Sequence, residues 1–233
     1  MKGWVGSLLV GAASLLCVSP ALALGPVDIE LSAAYWDATQ DFNFVAGGSI
    51  DHVGDGDVVF DGKLSLGKWS LDVTQVGVEL DSGLFPGSGR TSDFLIVDVR
   101  RRIAEFSEGN YFAIGVGWQQ IDVTYAALPG SADTSGLRLS AELRTSLAGV
   151  IQGYGEFGFF PSMDDMTGGP GLMAESVEGY DYELGVLIRL APYLKLKVGY
   201  RIESLESDGG ADNPAPWTSW ETTGMLYGLT ARF

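Results

Sequence analysis

Apolar and polar residues alternate with a period of two along most of the chain beyond residue 27. Leu137, Leu139 and Leu143 share one parity, for example, whereas Arg138 and Glu142 share the other. Such alternation predicts β-strands with one apolar face and one polar face. Each segment is close to the roughly 9–11 residues with which a tilted strand crosses a bilayer. The pattern marks ten segments, at 28–37, 57–66, 69–80, 92–103, 110–123, 136–147, 150–160, 178–190, 193–205 and the C-terminal end of the chain.

The connections between these segments alternate in length. Short ones lie at 67–68, 104–109, 148–149 and 191–192, and long ones begin after residues 37, 81, 123, 160 and 205. An even number of antiparallel strands, with short turns at one end and long loops at the other, is typical of transmembrane barrels. The pattern therefore predicts an all-β protein, a closed antiparallel up-and-down transmembrane β-barrel of ten strands.

The third segment departs from the alternation. Leu71 and Val73 share one parity, but Val76 and Val78 share the other. A β-bulge at 74–75 would shift the phase in this way. The alternative is that the segment boundaries are wrong, in which case this hairpin does not cross fully and the barrel has eight strands.

The N-terminal region has the composition of an export signal. Lys2 precedes an apolar stretch at 4–18, and the small residues Ala21 and Ala23 follow Pro20. This order predicts a signal peptide at 1–23, cleaved after Ala23, and a single barrel domain at 24–233. Cys17 would leave with the signal peptide, so no disulfide is expected.

The charge balance narrows the possible partners. The chain has a formal net charge of −16 together with 33 glycines. In a barrel, an apolar outer face and acidic loops allow this charge to occur together with a hydrophobic content of 46%. Nucleic acid is not an expected partner, because no basic stripe is present to neutralise phosphates.

Charged residues collect at the inward parity of the predicted strands. The candidate lumen network comprises Arg100, Arg102, Arg138, Glu142, Arg144, Glu156, Glu183, Arg189, Lys195, Lys197, Arg201 and Arg232. Further inward charges are Glu30, Asp61, Lys63, Asp98, Asp181 and Glu203. Charges of both signs in a narrow lumen must pair, because an unpaired buried charge is costly. One interpretation is a salt-bridge network that plugs the barrel, and the other is a narrow channel that favours small anions.

The C terminus continues the alternation and ends on an aromatic residue. Tyr227, Gly228, Ala231 and Phe233 resemble the signal that Gram-negative outer-membrane β-barrels present to their assembly machinery. Together with the export signal and the strand rhythm, they make the chain similar to small barrels of the OmpA and OmpW type. The resemblance implies location in the outer membrane, contact with its lipids and lipopolysaccharide, and the barrel-assembly machinery as a partner.

The chemistry-bearing residues outside the lumen give weak signals. His52 is the only histidine, and Asp51 and Asp55 could orient it as a base. Lipid A deacylases of similar size place a serine two residues after the histidine, whereas this chain has Gly54. We therefore expect a loop histidine, no catalytic residue, no cofactor and no metal ligand, although divalent-cation binding by the acidic loops stays open.

Aromatic residues near the predicted strand ends favour two interfacial girdles. These residues are Tyr35, Trp69, Trp118, Tyr125, Phe159, Phe160, Tyr180, Tyr193, Trp217 and Trp220. An alternative for Trp217 and Trp220 is binding of a surface glycan.

The expected function is a non-catalytic barrel with a structural or surface-interaction role, whose surface ligand the sequence does not identify. The alternative is a narrow passive channel for small or hydrophobic solutes. A lipid-modifying enzyme is the third possibility.

Overall fold

The computed structural model describes residues 27–44, 49–54, 57–82, 90–107, 109–125, 131–168, 176–207 and 217–233. The predicted signal peptide, with Ala21 and Ala23, lies outside these residues. The strands are β1 (Val27–Phe44), β2 (Ser49–Gly54), β3 (Asp57–Leu66), β4 (Trp69–Ser82), β5 (Arg90–Ser107), β6 (Asn110–Tyr125), β7 (Ser131–Ala148), β8 (Ile151–Phe160), β9 (Thr167–Gly168), β10 (Val177–Ala191), β11 (Leu194–Ser207) and β12 (Trp217–Arg232). The described residues contain no helix that is long and apolar enough to cross a membrane.

The strands form one closed antiparallel sheet with ten positions. Strands β2 and β3 both lie between β1 and β4, so together they fill one position. The two-residue β9 pairs with β7 beyond the end of β8 and shares the position of β8. Pairing of β12 with β1 closes the barrel. The ten-stranded prediction is confirmed, and the eight-stranded alternative is excluded.

Three of the predicted short connections are tight turns, at 67–68, 149–150 and 192–193. The fourth, predicted at 104–109, was too long because β5 extends to Ser107. Gly67 and Gly149 adopt φ values of 59° and 30° in two of them, a backbone region that glycine enters without steric cost. Both ends of the described chain lie at this end of the barrel, where the backbone of Phe233 pairs with Ile29. In transmembrane barrels the short-turn end faces the periplasm. We refer to it as the periplasmic end.

The outer face of the barrel is apolar in the half nearer the periplasmic end. One row of neighbouring residues crosses six adjacent strand positions, and every member is solvent-exposed in the isolated chain. The row consists of Leu71, Val99, Val116, Leu139, Phe159 and Tyr180. A continuous row of exposed apolar residues is unfavourable in water but matches the hydrocarbon core of a bilayer. This row is the lipid-facing belt.

The strands continue above the belt with their amphipathicity inverted. In β4, Leu71 and Val73 point outward, whereas Val76 and Val78 point inward and are buried. The register of β4 with β5 is continuous from Trp69 to Leu80, so the predicted bulge at 74–75 is wrong. The apolar residues change faces because the surroundings change, from lipid outside a polar lumen to water outside an apolar core.

This extension also replaces much of the first predicted loop. β1 runs to Phe44 and pairs with β2, in which His52 lies opposite Gln40 and Ser82. The expectation that His52 lies in a loop is therefore wrong, because its backbone belongs to strand β2. The predicted loop at 38–56 was too long because paired strands remain stable beyond the bilayer where their inner face covers an apolar core.

Above the belt, Asp93, Asp122 and Asp133 lie directly opposite one another on β5, β6 and β7. Like charges at opposed positions are destabilising. Burial and then the negative charges of Asp122 and Glu79 raise the pKa of Asp93, which is outside the lipid-facing belt. The folded barrel therefore holds this proton more tightly than the unfolded chain, and the row lowers stability as pH rises above the ordinary carboxyl range.

We expect Asp122→Asn to raise the free energy of unfolding at pH 7 by about 0.2–1 kcal/mol, because it removes two like-charge contacts. The gain should shrink as pH falls towards 4 and the row becomes protonated. Urea unfolding in lipid vesicles at both pH values measures it. The control is Asp37→Asn, since Asp37 is exposed opposite Met225. An equal gain in both variants would contradict the repulsion.

Candidate functional site

The interior of the barrel consists of three layers. An apolar cap fills the extracellular half, and its members are Ala34, Trp36, Ala38, Val59, Val76, Val78, Phe94, Ile121, Val123, Ala132, Phe160, Met163, Met166, Val177, Leu205, Trp220 and Leu226. Beneath it is an ionic layer of Asp61, Lys63, Asp72, Asp98, Arg100, Arg138, Glu142, Arg144, Glu156, Asp181, Glu183, Lys197, Arg201 and Glu203. A cavity open at the periplasmic end, the periplasmic cup, forms the third layer.

Glu142 on β7 is the most heavily bonded carboxylate of the ionic layer. Its carboxylate forms ion pairs with Lys63, with Arg144 at 2.7 Å and with Arg100 at 3.6 Å. The Tyr111 hydroxyl donates a further hydrogen bond of 2.8 Å to Glu142 Oε1. Three cations and one hydroxyl compensate the desolvation of this fully buried charge. The strands β3, β5, β6 and β7 are thereby tied together across the lumen.

Arg138 occupies the second centre of the layer. Its guanidinium binds Asp181 through two atoms, with Nε to Oδ2 at 3.0 Å and Nη2 to Oδ1 at 2.8 Å. Nη1 contacts Asp98, which also accepts a hydrogen bond of 2.8 Å from Arg100. Bidentate arginine–carboxylate pairs are the strongest ion pairs in proteins. This triad links β5, β7 and β10, which are not all neighbours in the sheet.

The third centre spans the lumen to β3. Lys197 Nζ lies 2.7 Å from Glu183 and 2.9 Å from Asp61, while the Tyr154 hydroxyl donates to Glu183 at 2.7 Å. Arg201 is held more loosely, at 3.6 Å from Glu183 and 3.8 Å from Glu203. Arg201 also lies over the ring of Trp36 at 5.6 Å, so it joins the ionic layer to the apolar cap.

Glycines on the inner face provide the space for these side chains. A Cβ on Gly158 would overlap Asp181 and Arg138, and a Cβ on Gly199 would overlap the Tyr154 hydroxyl. Gly115 and Gly117 have the same relation to Arg100 and Asp98. In a barrel this narrow, a long charged side chain fits only where a neighbouring inward position has no side chain of its own. The glycine content of the chain thus has a structural cause inside the lumen.

The apolar cap contains residues that the sequence interpretation placed elsewhere. Phe160 and Trp220, assigned to interfacial girdles, are 0% and 2% exposed and lie inside the barrel. The rings of Trp220 and Phe94 are 6.1 Å apart and inclined by 52°. The sequence signal for this cap was the change of parity in the third segment. It marks the point along the strand at which the inward residues become apolar.

The candidate network separates into two groups. Arg100, Arg138, Glu142, Arg144, Glu156, Glu183, Lys197 and Arg201 lie together in the ionic layer. The other four lie at the periplasmic end: Arg102 on the Tyr111 ring, Lys195 on Gln152, Arg232 on Asp28, and Arg189 exposed with no ion pair among the described residues.

Three participants were missed by sequence reasoning, namely Asp72, Tyr111 and Tyr154. Asp72 was detectable from the sequence, because it shares the polar parity of Ser70 and Thr74. Neither tyrosine was detectable in this way, since inward and lipid-facing tyrosines have the same alternation signal.

The ionic layer leaves little free space. The cavity within it measures about 30 Å³ and is bordered by Asp61, Lys63, Arg144 and Lys197. This volume holds about one or two water molecules. Among the described residues, no group of three or more histidine, cysteine or acidic side chains is arranged to hold a metal ion.

The predicted assembly signal lies at the closing seam. Tyr227 and Leu229 point outward and are exposed, whereas Gly228 faces inward opposite Ala34 of β1. Ala231 is buried between Leu31 of β1 and Leu194 of β11. A small side chain at this position permits both neighbouring strands to approach.

Comparison with known proteins gives matches only among solved structures. No family model and no curated protein sequence matches the chain. The outer-membrane protease OmpT from Escherichia coli matches with a TM-score of 0.53 and 7% identity, over 89% of this chain and 96% of that chain. This identity establishes similarity of fold alone.

Two further structures match with lower TM-scores, which support no inference. Neisserial surface protein A gives 0.43 with 9% identity, over 90% of this chain and 98% of that chain. The outer-membrane protein AlkL gives 0.45 with 14% identity, over 92% and 95%. The chain therefore shares its closed antiparallel β-barrel fold with the outer-membrane protease OmpT.

Proposed function

We propose that the chain is a non-catalytic, plugged outer-membrane barrel that acts as a stable scaffold for its extracellular end. The observation that carries this proposal is the double seal of the lumen. The apolar cap packs buried apolar side chains across the upper lumen, and the ionic layer beneath it encloses a cavity of about 30 Å³. We therefore infer that these two layers deny a hydrated ion a continuous path through the part of the lumen that the structure describes.

The charges of the layer support a structural role. Glu142, Arg138 and Lys197 each bind two or more partners, and those partners come from different strands. A catalytic base needs a nucleophile within hydrogen-bond reach and access for a substrate. The buried carboxylates of the layer are instead occupied by cations and closed to substrate from above.

The partners of the scaffold follow from its outer surface. The lipid-facing belt would contact the acyl chains of phospholipid and lipopolysaccharide, and the seam residues Tyr227, Gly228, Ala231 and Phe233 would engage the barrel-assembly machinery. The surface ligand would bind at the extracellular end, where exposed acidic residues predominate, among them Asp37, Asp93, Asp133, Glu178 and Glu221.

We expect the refolded protein to produce no single-channel steps in a planar bilayer, because the two layers block the lumen. An open porin refolded and reconstituted in the same way is the positive control. Stable steps of uniform size from the wild-type protein would instead favour the narrow passive channel.

Unchanged lipid A masses in expressing cells are expected, and a modified lipid A would overturn the non-catalytic proposal.

A further inference from the structure

The periplasmic cup is a blind cavity of about 460 Å³. Its walls come from both ends of the described residues, the turn between β5 and β6, and the periplasmic ends of β3, β7, β8 and β11. Lys63 and Arg144 belong to its floor and also to the ionic layer, so the cup ends where the network begins. Its volume is in the range of small-molecule sites.

The cations of the cup are not all paired. Five line it, and three of them, Lys63, Arg144 and Arg232, have carboxylate partners. Arg102 lies on the Tyr111 ring, at 4.4 Å from its centroid, and Lys195 donates to the Gln152 side chain at 2.9 Å. Neither cation has a carboxylate oxygen within 4 Å among the described residues, although Glu30 lies near enough to Lys195 to interact with it electrostatically. Both retain free N–H donors on the wall of one cavity.

The neutral groups of the wall are already engaged. Gln152 also donates to the Gly109 carbonyl at 2.9 Å, and Asn110 accepts from the Ser146 backbone amide at 2.6 Å. The Tyr111 hydroxyl is committed to Glu142. These bonds hold the wall in place and leave the two cations as its principal free donors. A cavity of this kind recognises anionic oxygens rather than neutral or cationic groups.

We propose that the periplasmic cup binds the phosphate group of a small periplasmic solute through Arg102 and Lys195. The planar guanidinium can donate two parallel hydrogen bonds to phosphate oxygens, and the ammonium supplies a point charge opposite. Three acids, Asp28, Glu30 and Glu105, also line the cup. They oppose the anion, so they limit affinity; Asp28 and Glu30 already pair with Arg232 and Arg144, whereas Glu105 has no ion pair among the described residues. The lining residues of the cup lie at the short-turn end of the strands and include no residue of the lipid-facing belt, which favours a soluble source over a lipid headgroup.

The test uses inorganic phosphate and the full barrel in a phosphate-free maltoside detergent, titrated by calorimetry at constant ionic strength with chloride. We expect saturable one-site binding. Arg102→Gln and Lys195→Gln should each weaken it at least tenfold, and Glu105→Gln should strengthen it severalfold. A gel shift between unboiled and boiled samples verifies that each variant is folded.

The matched control is Arg101→Gln. Arg101 is adjacent to Arg102 but points outward, over the Trp69 ring at 5.5 Å. Its substitution should leave phosphate binding unchanged. Absence of saturable binding, or equal weakening in the Arg101 and Arg102 variants, would overturn the proposal.

A second arm identifies the source of the phosphate. Barrels in phosphatidylglycerol nanodiscs should bind added phosphate as tightly as barrels in maltoside. If the lipid abolishes that binding and Arg102→Gln releases bound lipid, the site takes a headgroup and the soluble source is wrong. Bilayer conductance is a separate measurement, so this outcome leaves the plugged-barrel proposal unaffected.

Discussion

Replacement of Arg138 by leucine is expected to lower the free energy of unfolding by about 3–5 kcal/mol, the cost of removing one partner from a buried ion pair. Arg138 is 2% exposed and holds Asp181 through two atoms. Without it, the carboxylates of Asp181 and Asp98 remain buried in the lumen. Asp98 keeps one bond to Arg100, whereas Asp181 keeps no cation within 4 Å among the residues that the structure describes.

Urea unfolding in lipid vesicles, followed by tryptophan fluorescence, measures this loss. The triple variant Asp98→Asn, Arg138→Leu, Asp181→Asn should recover part of it, because no uncompensated charge then remains. Arg102→Leu is the matched control, since Arg102 has no carboxylate partner among the described residues and should cost less than about 1 kcal/mol. Equal losses in the Arg138 and Arg102 variants would show that ion pairing is not the cause.

Replacement of Gly228 by alanine is expected to destabilise the closing seam by about 1–3 kcal/mol, the usual cost of overpacking. A Cβ at Gly228 would lie 2.5 Å from the Ala34 Cα and 2.6 Å from its Cβ. Both atoms belong to β1, so the overlap can be relieved only by separating β12 from β1. The folding yield should fall with stability, because the overlap opposes closure of the barrel.

Gly62→Ala is the matched control, because Gly62 on β3 opposes the other edge of β1. A Cβ there would make only ordinary contact, 3.7 Å from Leu31 Cδ2. It should be neutral or slightly stabilising. Vesicles used for refolding contain no assembly machinery. A loss of stability or folding yield in vesicles would therefore isolate the steric effect of the Gly228 substitution. A defect seen only in cells would assign the residue to recognition instead.

The lipid-facing belt and the inward charges were predictable from the sequence because both depend on residue parity. Leu139 and Val116 point outward, and Arg138 and Lys197 point inward, as the alternation indicates. The upper half of the barrel was predictable only in part. There Val76, Val78 and Trp220 point inward among other apolar residues, and a period-two pattern does not state which of its faces meets lipid.

The pairing of the charges could not be read from the sequence. Lys63 binds Glu142, 79 residues away, and Lys197 binds Asp61, 136 residues away. These partners are brought together by the shear of a closed barrel, which depends on the register of every strand pair. For the same reason, the sequence did not separate Arg102 and Lys195 from the eight residues of the network that lie in the ionic layer.

The sequence by itself determined the strands, their number, the lipid-facing belt and the inward position of the charges, since each follows from local alternation and turn residues. The tertiary structure decided that the lumen is sealed by an apolar cap above an ionic layer, and that a cup with two unpaired cations lies beneath. These features depend on distances across the barrel, and such distances exist only once β12 has paired with β1.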